Sequence, residues 1–211
     1  MANIIFDFDG TIADSFDYVF DFLCREAGKP ADFKTSQAEQ FRHLSMKDLA
    51  QKLGIPLWRL PYIYFKGRRV MRQHVLHIHP FDGVPKLITE LAEAGHHLGI
   101  ISANSTKNIR VFLREHNLER DFKVVRGGTG IIGKVLPIRR LRRRYRQEVC
   151  IYIGDEVSDM LSAAAAGVMK VGVTWGFAGR YELEHCSPEA VVDLPSEIPA
   201  VIARLSGAQT R

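Results

Sequence analysis

Cysteine is scarce in this chain: Cys24, Cys150 and Cys186 are the only three among 211 residues. An odd number without CxxC spacing builds neither a disulfide framework nor a zinc site, so they read as reduced thiols, with Cys150 inside a strand. No apolar run is long enough to span a bilayer, and the start shows no basic, apolar and small-residue succession of a secretory signal. The expectation is a cytoplasmic chain with no membrane partner. Internal repeats and low-complexity linkers are also missing. With 46% hydrophobic content, one substantial core and a small second lobe can be buried.

Positive charge is abundant in one place. The net charge is +5, and Arg139, Arg140, Arg142, Arg143, Arg144 and Arg146 fall within eight residues. Aromatics, apart from Tyr145, are not interleaved with them, which favours the solvated face of an amphipathic helix over a nucleic-acid site.

The stretch Phe6-Asp7-Phe8-Asp9-Gly10-Thr11-Ile12-Ala13-Asp14-Ser15 organises the rest. Ile4, Ile5, Phe6 and Phe8 suit a strand buried on both faces, which brings Asp7 and Asp9 to its carboxyl end. Two ionised side chains at i and i+2 share a side of the strand and repel, unless a cation or a shared proton compensates. That arrangement fits a nucleophile, an acid/base partner and a magnesium ion.

Downstream, Phe16, Val19, Phe20, Leu23, Cys24 and Ala27 recur at helical spacing up to Gly28. Ser36 with Glu39, and Ser45 with Asp48, have the form of capping boxes. The second opens a helix that stops at Gly54. Leu57 to His77 reads as a longer helix with Pro61 at its start or at a kink. Residues 16–79 therefore read as all-helical. From residue 80 strands alternate with helices: His97–Ile101, Phe122–Val125, Val149–Ile153, Met169–Val173 and Ala190–Val192. That alternation predicts an α/β fold, a doubly wound parallel sheet. The domain expectation is a core of 1–15 and 80–211 with a small helical insertion at 16–79, pivoting on crossings at 14–16 and 79–83.

Three later stretches carry chemistry. Gly99-Ile100-Ile101-Ser102-Ala103-Asn104-Ser105 ends an apolar strand in a hydroxyl and consecutive amides, which can hold a phosphate oxygen. Residues 128–134 satisfy GxxxxGK, but Val135 stands where a nucleotide-binding loop needs Ser or Thr for its metal. Lys134 then reads as an ammonium that offsets charge on a transferred group. Ile151-Tyr152-Ile153-Gly154-Asp155-Glu156-Val157-Ser158-Asp159 places a carboxylate at a strand end and another one helical turn on, so both can face one cation and one lysine.

These four stretches, in this order, resemble the motifs of the haloacid dehalogenase-like hydrolases, and the segments after 170 resemble the phosphoglycolate phosphatase-like branch. The likeness covers 4–15 and 80–205 well, and the helical insertion only by position. It implies a helical cap on the core and a phosphatase for a small-molecule phosphate ester, working through an aspartyl-phosphate. Asp7 would be the nucleophile and Asp9 the general acid/base. Magnesium would sit on Asp7, the backbone carbonyl of Asp9, and Asp155. Lys134, Ser102 and the amides of Phe8, Gly10 and Thr11 would hold the phosphoryl group, with Ala103 and Asn104 beside them. Members often carry Asn directly after the Ser or Thr, whereas here Ala103 intervenes. Asp159 would orient Lys134 or a metal-bound water, and Glu156 would touch the metal through water.

The same residues could run a phosphomutase of the beta-phosphoglucomutase type, and an idle fold could serve as a binding module through its basic helix. His74, His77 and His79 lack metal-site spacing and are expected at the hinge or in solvent. A monomer or a homodimer fits the reading. The substrate is not legible in residues 16–79.

Overall fold

The computed structural model describes all residues except 31, 34–37, 131–132, 147 and 208–211. Ser36, half of one expected capping box, lies outside the described residues.

Six parallel strands form one sheet: β1 (Ala2–Phe6), β2 (His97–Ile101), β3 (Phe122–Arg126), β4 (Val149–Gly154), β5 (Met169–Val173) and β6 (Ala190–Val192), in the order β3-β2-β1-β4-β5-β6. All five residues of β1 are buried, because the strand is central and both sheet faces are covered. Its side chains alternate between two cores. Ile4 and Phe6 pack with Leu87, Ile88, Ile109, Phe112 and Ile202, whereas Ile5 packs with Ile138, Leu141, Tyr152 and Ala163.

The helices responsible are α4 (Val84–Glu93), α5 (Thr106–Glu115) and α9 (Ile198–Gly207) on the first face. On the second lie α6 (Val135–Arg144) and α7 (Val157–Ala166). Fully burying one such aliphatic side chain contributes roughly 1.5–3 kcal/mol, so the period-two pattern of β1 specifies its register strongly. The expected α/β doubly wound sheet is the observed one. Cys150 lies in β4, where burial pushes its thiol up to about 12.

Between β1 and α4 the α-helices among the described residues are α1 (Phe16–Glu26), α2 (Met46–Lys52) and α3 (Leu60–His74). Among the described residues no named strand falls there. Ser45 caps α2, its hydroxyl accepting from the Asp48 amide at 3.2 Å, and Pro61 sits in the first turn of α3, where its missing N–H costs nothing. Phe20, Leu23, Leu49, Leu53 and Ile63 form a second cluster, joined by Phe177 from the loop after β5. Met71, Val75 and Ile78 instead join the core under the sheet, so α3 spans both. A short α8 (Arg180–Glu184) follows β5.

The two crossings pair with each other. The Asp14 amide donates to the His79 carbonyl at 2.9 Å, the Phe81 amide to the Ile12 carbonyl at 3.1 Å, and Ala13 bridges Pro80 antiparallel.

Candidate active site

In an open parallel sheet a ligand crevice forms beyond the carboxyl ends of the strands where the order reverses. Here β1 has β2 on one side and β4 on the other, so that place lies beyond β1 and β4. Asp7 follows the last residue of β1, and its amide extends the pairing by donating to the Ile153 carbonyl at 2.9 Å. Asp155 follows the last residue of β4. Sheet topology thus brings together two carboxylates 148 positions apart in the chain.

After Asp7 the backbone folds on itself: the Ile12 and Ala13 amides both donate to the Phe8 carbonyl at 2.9 Å. Gly10 takes φ +78°, and a Cβ there would lie 2.1 Å from Asp155 Oδ2. Both the left-handed backbone and the close approach require glycine. Thr11 donates from Oγ1 to Asp155 Oδ1 at 2.7 Å, and the Phe177 amide donates to Asp155 Oδ2 at 2.8 Å. Trp175 Nε1 donates to the Thr11 carbonyl at 3.1 Å. Phe8 points away from the crevice, edge-on to Phe112 in the sheet core, so only its backbone can serve a substrate.

Lys134, just before α6, is 3% exposed. Its Nζ lies 2.6 Å from Asp159 Oδ1 and 3.0 Å from Asp7 Oδ2. Burial works against its charge, but Asp159 and Asp7 outweigh burial and hold the ammonium well above its ordinary range. Asp159 is fully buried on α7. Tyr152 adds a hydroxyl that lies 2.9 Å from the Ile101 carbonyl and 3.2 Å from Asp159 Oδ1, and Asp159 Oδ2 accepts from the Glu156 amide at 3.2 Å.

Ser102 is buried at the end of β2, with Oγ accepting from the Asn104 amide at 3.1 Å. Ala103 and Asn104 line the same cavity as Asp7, Asp9, Lys134 and Glu156. The Asn104 side chain donates from Nδ2 to both oxygens of Asp9, at 3.2 and 2.9 Å.

Five carboxylates thus share one lysine. Burial pushes Asp7 up to about 7 against the pull of Lys134, and Glu156 up to about 8, with Asp159 adding to the rise. Asp155 is pushed well up by burial and by the acids around it, and Asp9 is raised by burial although the Asn104 amide opposes it. A cation would relieve this repulsion. Carboxylate oxygens of Asp7, Asp155 and Asp159 lie within 4.8 Å of one another, and Asp7 Oδ1 is buried with no hydrogen-bond partner. The donors are all hard oxygens and one is unpaired, so the residues fit a hard divalent cation.

The cavity is roofed from the helical segment by Val19, Phe22, Ile63, Tyr64, Arg68 and Met71. Tyr64 and Arg68 were not singled out from the sequence. Their i, i+4 spacing puts them on one face of α3, but nothing local says which face meets the site. Tyr152 could have been found, since a tyrosine in an otherwise aliphatic buried strand needs a partner for its hydroxyl. His74 and His77 lie by Tyr18 and His79 by His116, near the crossings. Among the described residues the only acid, cysteine and histidine grouping close enough to hold a metal ion is the Asp7, Asp155 and Asp159 set.

Residues 4–173 match the family described as haloacid dehalogenase-like hydrolase. A phosphoglycolate phosphatase of Synechococcus elongatus is 31% identical over 212 residues, 97% of this chain and 99% of that protein. A 5'-nucleotidase of Pseudomonas aeruginosa is 33% identical over 114 residues, 51% of each chain. Among solved structures, a haloacid dehalogenase-like hydrolase from Streptococcus pneumoniae superposes with a TM-score of 0.70 at 22% identity, covering 95% of this chain and 97% of its own. The chain belongs to the haloacid dehalogenase-like hydrolases, in their phosphoglycolate phosphatase-like branch.

Proposed function

We propose that this protein is a magnesium-dependent phosphatase that hydrolyses a small-molecule phosphomonoester through an aspartyl-phosphate on Asp7. Residues 1–15 and 80–211 are its core, and 16–79 its cap. The observation that carries the reading is the Asp7 carboxylate, with Oδ2 held 3.0 Å from Lys134, Oδ1 unpaired, and the whole group facing the cavity that Asp9 also lines. Membership in the family makes the chain a hydrolase of phosphoric monoesters.

An oxygen of Asp7 attacks phosphorus, the bond from phosphorus to the ester oxygen breaks, and Asp9 gives its proton to the departing alcohol. Asp9 then takes a proton from the water that attacks the same phosphorus. Inorganic phosphate leaves and the Asp7 carboxylate is restored. Lys134, kept charged by Asp159 and Asp7, offsets charge on the phosphoryl oxygens. Ser102 and the amides that follow Asp7 position that group. Asp7, the Asp9 carbonyl and Asp155 would hold magnesium, with Glu156 behind them. The ion would supply positive charge against the phosphoryl oxygens and the clustered carboxylates.

The test is phosphate release from a panel of phosphomonoesters, with and without magnesium, by the wild type and by Asp7→Asn. Wild-type turnover should need the cation, and the variant should lose at least about a thousandfold, since an amide cannot attack phosphorus. Substantial phosphate release by the variant would rule out Asp7 as nucleophile. Turnover of a sugar phosphate without phosphate release would mark a mutase instead.

A further inference from the structure

Asn108 has no part in the chemistry above, yet it is only 2% exposed and uses both of its amide hydrogens. Its Nδ2 donates to Asn104 Oδ1 at 2.9 Å and to the backbone carbonyl of Arg68, on α3 of the helical segment, at 2.9 Å. Asn104 Oδ1 accepts a second bond, from the Ser105 amide at 2.7 Å. The far end of Asn104 is the NH2 group on Asp9. Two backbone groups settle the polarity of this chain of amides. A peptide N–H can only donate, so the atom of Asn104 facing Ser105 is oxygen. A peptide carbonyl can only accept, so the atom of Asn108 facing Arg68 is nitrogen.

The backbone of Asn104 is clamped as well. Its carbonyl accepts from the Gly128 amide at 2.6 Å, and a Cβ on Gly127 would sit 2.3 Å from that carbonyl. With the backbone held, the freedom left to Asn104 is in its side chain, whose orientation the Ser105 amide and Asn108 set together. Asn108 in turn is satisfied only while α3 is seated, because its outer acceptor belongs to that helix.

We propose that Asn108 is a positioning residue, through which the seating of α3 on the core is read at the Arg68 carbonyl and passed by Asn104 to the orientation of Asp9. The orientation of the carboxylate that moves the proton is then tied to the closure of the helical segment over the site. This rests on the reading of Asp9 as the acid/base group. The buried Asn104 and Asn108 amides provide the link, since an unsatisfied N–H in this interior is unfavourable.

The experiment compares wild type, Asn108→Ala, Asn104→Ala and the double variant, in steady state and in the first turnover. The two substrates are p-nitrophenyl phosphate, whose leaving group departs without a proton, and glycerol phosphate, whose leaving group needs one. For Asn108→Ala we expect the first turnover of glycerol phosphate to slow about tenfold, a partial loss of the roughly 100- to 10,000-fold that a general acid contributes. In that first turnover, nitrophenolate release and the half-saturating concentrations of both esters should stay within about twofold, because a nitrophenolate leaves without a proton and nothing that binds the phosphoryl group has been removed. The double variant should be no slower than Asn104→Ala, since residues acting through one another are not additive. Asn108→Ser, which keeps one donor, should recover part of the loss and serves if the alanine variant folds poorly. Equal slowing of both esters in the first turnover, a change confined to substrate affinity, or additive losses would overturn the relay while leaving the phosphatase reading intact. A wild type that turns over no phosphomonoester would overturn both.

Discussion

Lys134 lies among acids that outnumber it, and burial raises Asp7, Asp9, Asp155 and Glu156 before any ligand arrives. Asp7 is pushed from the ordinary carboxylate value of 3.8 to about 7 by desolvation, with Lys134 opposing. Between those values the native state keeps a proton that the unfolded chain has lost, so this group favours the folded state fully below about pH 4, and that contribution declines as pH rises towards 7. In the absence of divalent cations, denaturant titrations across pH 4 to 8 should therefore show stability falling with pH. The slope should be shallower in Asp7→Asn and also with millimolar magnesium, which favours the ionised cluster. A slope the same in all three conditions would mean that Asp7 carries no raised value. At this scale the sequence was informative about identity and less so about partnership. The spacing of Asp7, Asp9, Asp155 and Asp159 was legible, but the bond from Asn104 to Asp9 spans 95 positions and left no local signal.

Strand and helix ends show how an element's termini become functional. Helix α7 ends in a left-handed Gly167, with the Gly167 amide on the Ala164 carbonyl at 3.0 Å and the Val168 amide on the Ala163 carbonyl at 3.1 Å. This is the Schellman arrangement. The last two carbonyls, of Ala165 and Ala166, are taken by Arg139 at 2.6 Å and Arg142 at 3.3 Å from the neighbouring α6. Two of the six clustered arginines thus finish a helix that carries Asp159. The exposed Arg140, Arg143, Arg144 and Arg146 make no such bond among the described residues. Replacing Arg140, Arg143 and Arg144 with Gln should leave melting temperature and turnover near wild type. Arg139→Gln with Arg142→Gln should cost about 1 kcal/mol, as expected for a pair of partly exposed hydrogen bonds, read by denaturant unfolding. Equal effects from the two sets would refute the capping role. From sequence alone the run reads as one solvated face, because the carbonyls it meets lie on another helix.

Across the whole molecule, the cavity is closed by α1 and α3 over the strand ends, while the covalent links between the helical segment and the sheet are two crossings bonded to each other. A substrate must enter where water is afterwards excluded, and pivoting of 16–79 on the paired crossings meets both needs. Amide hydrogen exchange should be faster in α1, α2 and residues 60–70 than in β1, β2 and β4, and should slow when magnesium and a phosphate mimic are added. Uniform exchange in both states would argue against a moving segment. Gly83, expected from the sequence as a hinge position, takes φ +81° at the start of α4. Proline is confined to φ near −65°, so Gly83→Pro would disturb the fold itself and cannot isolate motion.

What the sequence determined by itself was periodic or local. Residues 4–8 declared a buried strand ending in acids, the return of alternation after residue 80 declared a parallel sheet, Ser45 marked a helix start that the structure places where expected, and Pro61, read as a start or a kink, falls at a start. Those signals are carried by neighbours one to four positions apart, where backbone geometry and side-chain spacing act directly. Tertiary structure alone decided which groups meet. It brought Asp7 to Asp155 through the strand order, set Lys134 between two carboxylates, turned Tyr64 and Arg68 into the cavity, and joined Arg68 to Asp9 through two asparagines. These contacts depend on how separate faces pack, and packing is settled by the shape and burial of the whole core rather than by any one segment.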